Sequence, residues 1–124
     1  MKKIILALCL VFGVCFADKT EELEELFDKC HTYDDRNSCF ELAGIILKAL
    51  NIYPDKKSGL SALQYTLSHG CDINDGRCCG ALAGMLEGYK EYKKAKENYG
   101  KCCRLEGSGM WCCDEYIRLK NQGF

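Results

Sequence analysis

Cysteine is the residue whose spacing in this chain could do chemistry. Residues 30 to 44 read CHTYDDRNSCFELAG and residues 71 to 84 read CDINDGRCCGALAG. Each begins with a cysteine, crosses a short polar stretch, meets a second cysteine and arrives at Leu-Ala-Gly. Cys39 and Cys79 match at an offset of 40, and Cys30 and Cys71 at 41. A worn third copy starts at Cys103, with Cys112 and Cys113 behind it. Thiols at such spacings can ligate a metal, exchange with a disulfide or cross-link. Zinc wants four ligands in a tetrahedron, which directly adjacent cysteines suit poorly. The two histidines, His31 and His69, each stand beside a cysteine pair near a predicted helix end, where a cation favours the negative pole. Exchange chemistry lacks its Cys-x-x-Cys arrangement. The reading is structural disulfides, with no metal and no cofactor.

The leader sets the compartment. Lys2 and Lys3 precede an apolar run from Ile4 to Ala17, and the polar DKTEELEE follows. That is the layout of a secretory signal peptide cleaved after Ala17. The run is shorter than the roughly 20 residues of a spanning helix, so no transmembrane segment is expected after cleavage. Cys9 and Cys15 follow the bulky Leu8 and Val14, where a lipid-attachment signal would place a small residue. The expected location is secreted or periplasmic, where disulfides persist. Residues 18–124 keep nine of the 11 cysteines, so at least one thiol is free or pairs with another molecule. They hold 15 basic against 18 acidic residues, a formal charge of −3. That balance suits neither nucleic acid nor an anionic membrane surface as partner.

Helices must position these sulfurs. Four residues before the first cysteine of each copy stands Leu26, Leu67 or Tyr99, and eight before stands Glu22, Leu63 or Ala95. Spacings of four are helical. The first helix is predicted over about Thr20 to Cys30, capped by Asp18. The second starts after Ser38 with a Ser38 to Glu41 capping box, and runs to Leu50 before Asn51 and Pro54. The next pair covers Leu60 to His69 and Cys78 to Glu87, and the last Lys90 to Cys103 and Trp111 to Lys120. The connectors DDRNS, PDKKSG, DINDG and EGSG are rich in turn residues, and no strand alternation occurs. The prediction is an all-α domain over residues 18–124, with hairpins at about 20–50, 60–88 and 90–120. One hairpin cannot bury its apolar face alone; three stacked into an α/α solenoid can.

Each hairpin has a cysteine ending its first helix and another opening its second. A bend brings the two ends within the ~4.4 to 6.8 Å between Cα atoms that a disulfide requires. The expected staples are Cys30–Cys39, Cys71–Cys79 and Cys103–Cys112. Cys112 is preferred to Cys113 because it repeats the eight-residue gap of the first copy. Cys78, Cys102 and Cys113 remain. A Cys78–Cys102 link between the second and third hairpins is expected, with Cys102–Cys113 as its alternative and Cys113 otherwise unassigned. Closing a loop of about nine residues contributes roughly 2.6 kcal/mol, so three staples rival the stability of a whole small domain.

These stapled units resemble Sel1-like repeats, helix hairpins related to tetratricopeptide repeats. More closely, the chain is similar to the cysteine-rich secreted proteins of Helicobacter and Campylobacter that carry them. Cys71-DINDGRC-Cys79 has the family's seven-residue gap, Leu82-Ala83 stands where the family has Leu-Gly, and Ala95, Tyr99 and Cys103 resemble its first-helix signature. The connectors NIYPDKKSG and EGYKEY depart from the family pattern. The resemblance implies the family's class label, β-lactamase or penicillin-binding protein. A serine β-lactamase needs Ser-x-x-Lys. Ser38, Ser58, Ser61, Ser68 and Ser108 all lack lysine at the third following position, and neither Lys-Thr-Gly nor Ser-Asp-Asn occurs. No catalytic residue is assigned.

The expected function is therefore a small binding scaffold. Stacked hairpins present their first helices on a concave face, suited to a peptide, a protein or a cell-wall-derived ligand. Gln64, Tyr65, Lys94 and Asn98 are its exposed candidates, and weak β-lactam hydrolysis is the alternative. The lysine-rich YKEYKKAKENYGK reads as a solvated helix face, interrupted by Glu91 and Glu97, rather than a nucleic-acid platform. Tyr92 and Tyr99, a heptad apart, and Trp111 read as packing residues.

Overall fold

Six α-helices occupy the residues that the computed structural model describes, 17–52 and 56–124: α1 (Ala17–His31), α2 (Arg36–Ile52), α3 (Lys57–Asp72), α4 (Gly76–Gly88), α5 (Tyr92–Glu106) and α6 (Trp111–Asn121). The expected signal peptide up to Phe16, and Pro54 with its two neighbours, lie outside the described residues. Among the described residues there is no strand, and no helix is long and apolar enough to cross a membrane. The chain is all-α.

Helix starts differ from expectation, and an aspartate cap explains two of the differences. α2 begins at Arg36 because Asp35, not Ser38, is its cap. The Asn37 N–H donates to Asp35 Oδ1 at 3.1 Å, and Ser38 Oγ donates to Asp35 Oδ2 at 3.0 Å. The same bend is built again 40 residues on. The Arg77 and Cys78 N–H groups donate to Asp75 Oδ1 at 2.9 and 3.4 Å, which starts α4 at Gly76. A carboxylate at this position answers both the orphan amides and the positive end of the helix. Before each cap stands a residue in the left-handed region, Asp34 at φ 54° and Asn74 at φ 70°. Asp18, expected ahead of the first helix, lies within α1.

The repeated Leu-Ala-Gly fixes which face of each second helix turns inward. Leu42 and Ala43 are buried, as are Leu82 and Ala83, while Gly44 and Gly84 face outward. On the first helices Leu63, Leu67, Ala95 and Tyr99 are buried, and Glu22 is exposed. Burying each of these leucines supplies on the order of 1.5–3 kcal/mol. Each helix packs on its neighbours in the chain, and α1 also meets α3, and α2 meets α4. The result is a helical array in which each helix lies against the next in sequence.

Cysteines close every bend. Cys30 and Cys39 are bonded with Cα atoms 4.6 Å apart, as are Cys71 and Cys79. The third hairpin departs from expectation. Cys102 bonds Cys112 (Cα–Cα 6.0 Å) and Cys103 bonds Cys113 (4.8 Å), so neither the Cys103–Cys112 nor the Cys78–Cys102 link forms. Neighbouring residues on a helix point about 100° apart, so the inward members, Cys102 and Cys112, meet beneath the outer pair. The longer bend allows this register, with Gly107 and Gly109 at φ 97° and 103°. Cys78, the remaining cysteine of the described residues, is buried on the side facing the first hairpin.

Polar contacts lock the seams between hairpins. Arg77 grips Asp75 and reaches Asn37 Oδ1 at 2.8 Å, with its guanidinium 4.5 Å above the Phe40 ring. Across the other seam, Arg118 bonds both oxygens of Glu87 at 2.7 Å, and Tyr99 Oη donates to Glu87 Oε1 at 3.0 Å. Burial, then the Glu87 carboxylate, pushes the Tyr99 phenol up to about 12, so it stays a donor.

Candidate functional site

The first helices of hairpins one and two, α1 and α3, pack side by side, and α5 reaches the bend end of α3 through Asn98 and Lys101. Aromatic stacking makes the seam between α1 and α3. The His31 ring packs on Phe27 at 4.4 Å between centroids, stacks on Tyr65 at 4.7 Å with an 18° tilt, and touches His69 at 4.7 Å. His69 Nε2 lies 2.9 Å from Asp34 Oδ1. Both ring nitrogens of His31 are buried without a hydrogen-bond partner. Burial, then the neighbouring His69, pushes the His31 imidazole down to about 4, so it is neutral at physiological pH. The expected helix-end cation is instead an aromatic spacer between Phe27 and Tyr65. The outermost member of the stack, Tyr65, is 55% exposed.

Sulfur and lysine make the seam between α3 and α5. Asn98 Oδ1 packs 3.4 Å from Cys71 Sγ, a contact and not a hydrogen bond because the bonded sulfur carries no proton. Asn98 Nδ2 donates to the Lys94 carbonyl at 2.9 Å, which orients the amide. Lys101 Nζ donates to the Cys71 carbonyl at 2.7 Å, satisfying an acceptor at the end of α3. Lys94 is exposed beside Glu91, Nζ to Oε1 3.7 Å. Of the four candidates, Gln64 and Tyr65 thus stand on α3 and Lys94 and Asn98 on α5, with Asn98 at the seam. Gln64 is half-buried.

Two other features compete for attention. A cleft of about 590 Å³ runs along the bends, lined by Asp35, Asn37, Asp75, Arg77 and Glu106 among others. The caps and the Arg77 grip already occupy much of its polar lining. The other is Cys78. Burial, then the Asp75 charge, pushes its thiol up to about 12, so the nucleophilic thiolate is absent at neutral pH. Among the described residues no group of three His, Cys, Asp or Glu side chains is placed to hold a metal ion. Trp111 is exposed over part of its surface and meets Tyr99 edge-on at 5.8 Å.

Sequence reasoning missed the His31–Tyr65 stack and the two aspartate caps. The caps had a signal, since Asp35 and Asp75 share the 40-residue offset of the cysteines. The stack had none, because His31 and Tyr65 lie in different hairpins whose relative height is set by packing. Comparison with family models, curated proteins and solved structures finds no match to this chain.

Proposed function

We propose that this protein is an exported Sel1-like repeat module whose disulfide-clamped hairpins form a short solenoid, and that it works by binding rather than catalysis. Its ligand is a peptide, a protein or a cell-wall-derived fragment held along the face of α1, α3 and α5. The observation that carries this reading is the exposed Tyr65, braced from behind by His31 and next to Gln64, on a helix whose bend end meets Asn98 of α5. A braced aromatic offers contact area with little ordering entropy left to lose, and amides beside it satisfy backbone groups of a bound chain. Three cross-linked bends, the third closed twice, hold each first helix to its second, which lowers the ordering penalty of binding further. Four disulfides in a chain of this size also suit an oxidising compartment.

The test is selection of a displayed peptide library on oxidised protein, followed by affinity measurement on two variants. Tyr65→Ala is expected to weaken selected peptides about tenfold or more, while Trp111→Ala, on the far side of α5, leaves them unchanged. Turnover of a chromogenic β-lactam by the oxidised protein, absent from the reduced and unfolded form, would replace this reading with the hydrolase alternative.

A further inference from the structure

The three first helices differ sharply in charge, and in order. Hairpin one (17–52) carries nine acidic and four basic residues, whereas hairpin three (92–121) carries four acidic and seven basic. The structure brings part of this imbalance onto one face. On α1, successive residues turn by about 100°, so Glu24, Asp28 and Glu21 fall within about 80° of His31, on the side away from buried Phe27 and Cys30. His31 marks the α3 seam, so these three carboxylates border the same face as Tyr65. On α3 the centre of the face is Ser61, Tyr65 and Ser68, with Asp72 at its bend end. On α5, Lys94 and Lys101 flank Asn98, which touches Cys71 of α3. Exposed Arg104 and Lys93 continue the positive side, with Glu97 between them.

Resting on the reading of this face as the binding surface, we propose that its ligand is an extended peptide of ordered charge. A cationic end lies against α1, a small or apolar middle packs on Tyr65, and an anionic end lies against α5. Opposite charges at the two rims select orientation and exclude peptides of uniform charge, which meet like charge at one rim. Packed helix axes lie about 8 to 10 Å apart, so α1 and α5, with α3 between them, stand at least roughly 16 Å apart. At about 3.3 Å per residue, some six residues bridge them.

The probe follows from that span: a fluorescein-labelled nonapeptide of three lysines, Ala-Val-Ala and three glutamates. Its control has the same composition with lysine and glutamate mixed at both ends. Fluorescence anisotropy with oxidised protein is expected to give about tenfold tighter binding of the ordered peptide. The preference should shrink between about 50 and 500 mM salt as the rims are screened. Glu24→Lys with Asp28→Lys is expected to shift preference to a peptide with glutamates at both ends. Lys94→Glu, a single exposed change, should weaken the ordered peptide alone. Equal binding of the ordered and mixed peptides would overturn the charge order and leave Tyr65-dependent binding standing. Binding of neither peptide, with Tyr65→Ala also silent toward library-selected ligands, would overturn both. A salt-sensitive dimer that excludes the probe would overturn the peptide assignment in favour of a second copy of the chain.

Discussion

His31 shows how much one side chain changes with its neighbours. In sequence it is a histidine near a helix end, next to a cysteine. In the structure it is a neutral ring wedged among Phe27, Tyr65 and His69. Its native pKa, about 4, lies below the ordinary 6.5 that it regains on unfolding. The unfolded chain therefore takes up the proton first. The stability that this ring contributes is complete above about pH 6.5 and is lost as pH falls towards about 4, by on the order of 2 kcal/mol once solvent screening of a half-buried group is allowed for. Urea midpoints at pH 7.5 and 4.5 measure this, and His31→Phe is expected to flatten the difference. Cys78 gives a second prediction at this scale. With its thiol buried and pushed up to about 12, iodoacetamide should leave it untouched in native protein and modify it fully in denaturant. Rapid native labelling of the Cys78 peptide would show that the site is open.

At the scale of elements, close approach and capping decide how α3 and α4 pack. A β-carbon at Gly70 would meet Cys78 Sγ at 2.4 Å, so the glycine lets α3 pass directly over α4. Gly70→Ala is expected to destabilise by about 1–3 kcal/mol. Cys78→Ala should recover part of that loss, because it removes the sulfur that the new methyl strikes; thermal or urea unfolding of the double variant reads the coupling. Asp75 caps α4, is buried and holds Arg77, so Asp75→Ala should cost about 2–3 kcal/mol. The exposed Asp35, which does the same for α2 alone, should cost nearer 1 kcal/mol. The paired cysteines of the third bend offer a further test. In Cys102→Ser, the thiol set free and alkylated under denaturing, non-reducing conditions is expected to be Cys112. Labelling of Cys113 instead would reverse the register of the double clamp.

Across the whole molecule, hairpins communicate through neighbours, and their seams are of different kinds. The first is aromatic and tied by Arg77 to Asn37, and the second is held by Arg118, Glu87 and Tyr99. A stack with mainly nearest-neighbour contacts loosens locally. Arg118→Ala is expected to speed amide exchange in α5 and α6 while leaving α1 and α2 protected, as measured by hydrogen–deuterium exchange. Uniform acceleration along the chain would mean that the three hairpins unfold as one unit.

The amino-acid order alone determined the helical character and the approximate placing of the six helices and the bends between them, because these rest on local periodicity, turn residues and a repeat at offset 40. The exposure of Glu22 against burial of Leu63 and Ala95 was legible for the same reason. Tertiary structure decided what depends on the height and rotation of one helix against another. It paired Cys102 with Cys112 and Cys103 with Cys113, buried Cys78 against the first hairpin, and turned His31 from a cation into a stacked ring. Each outcome depends on displacements of a few ångströms between segments far apart in the chain, and spacing along the sequence carries no record of them.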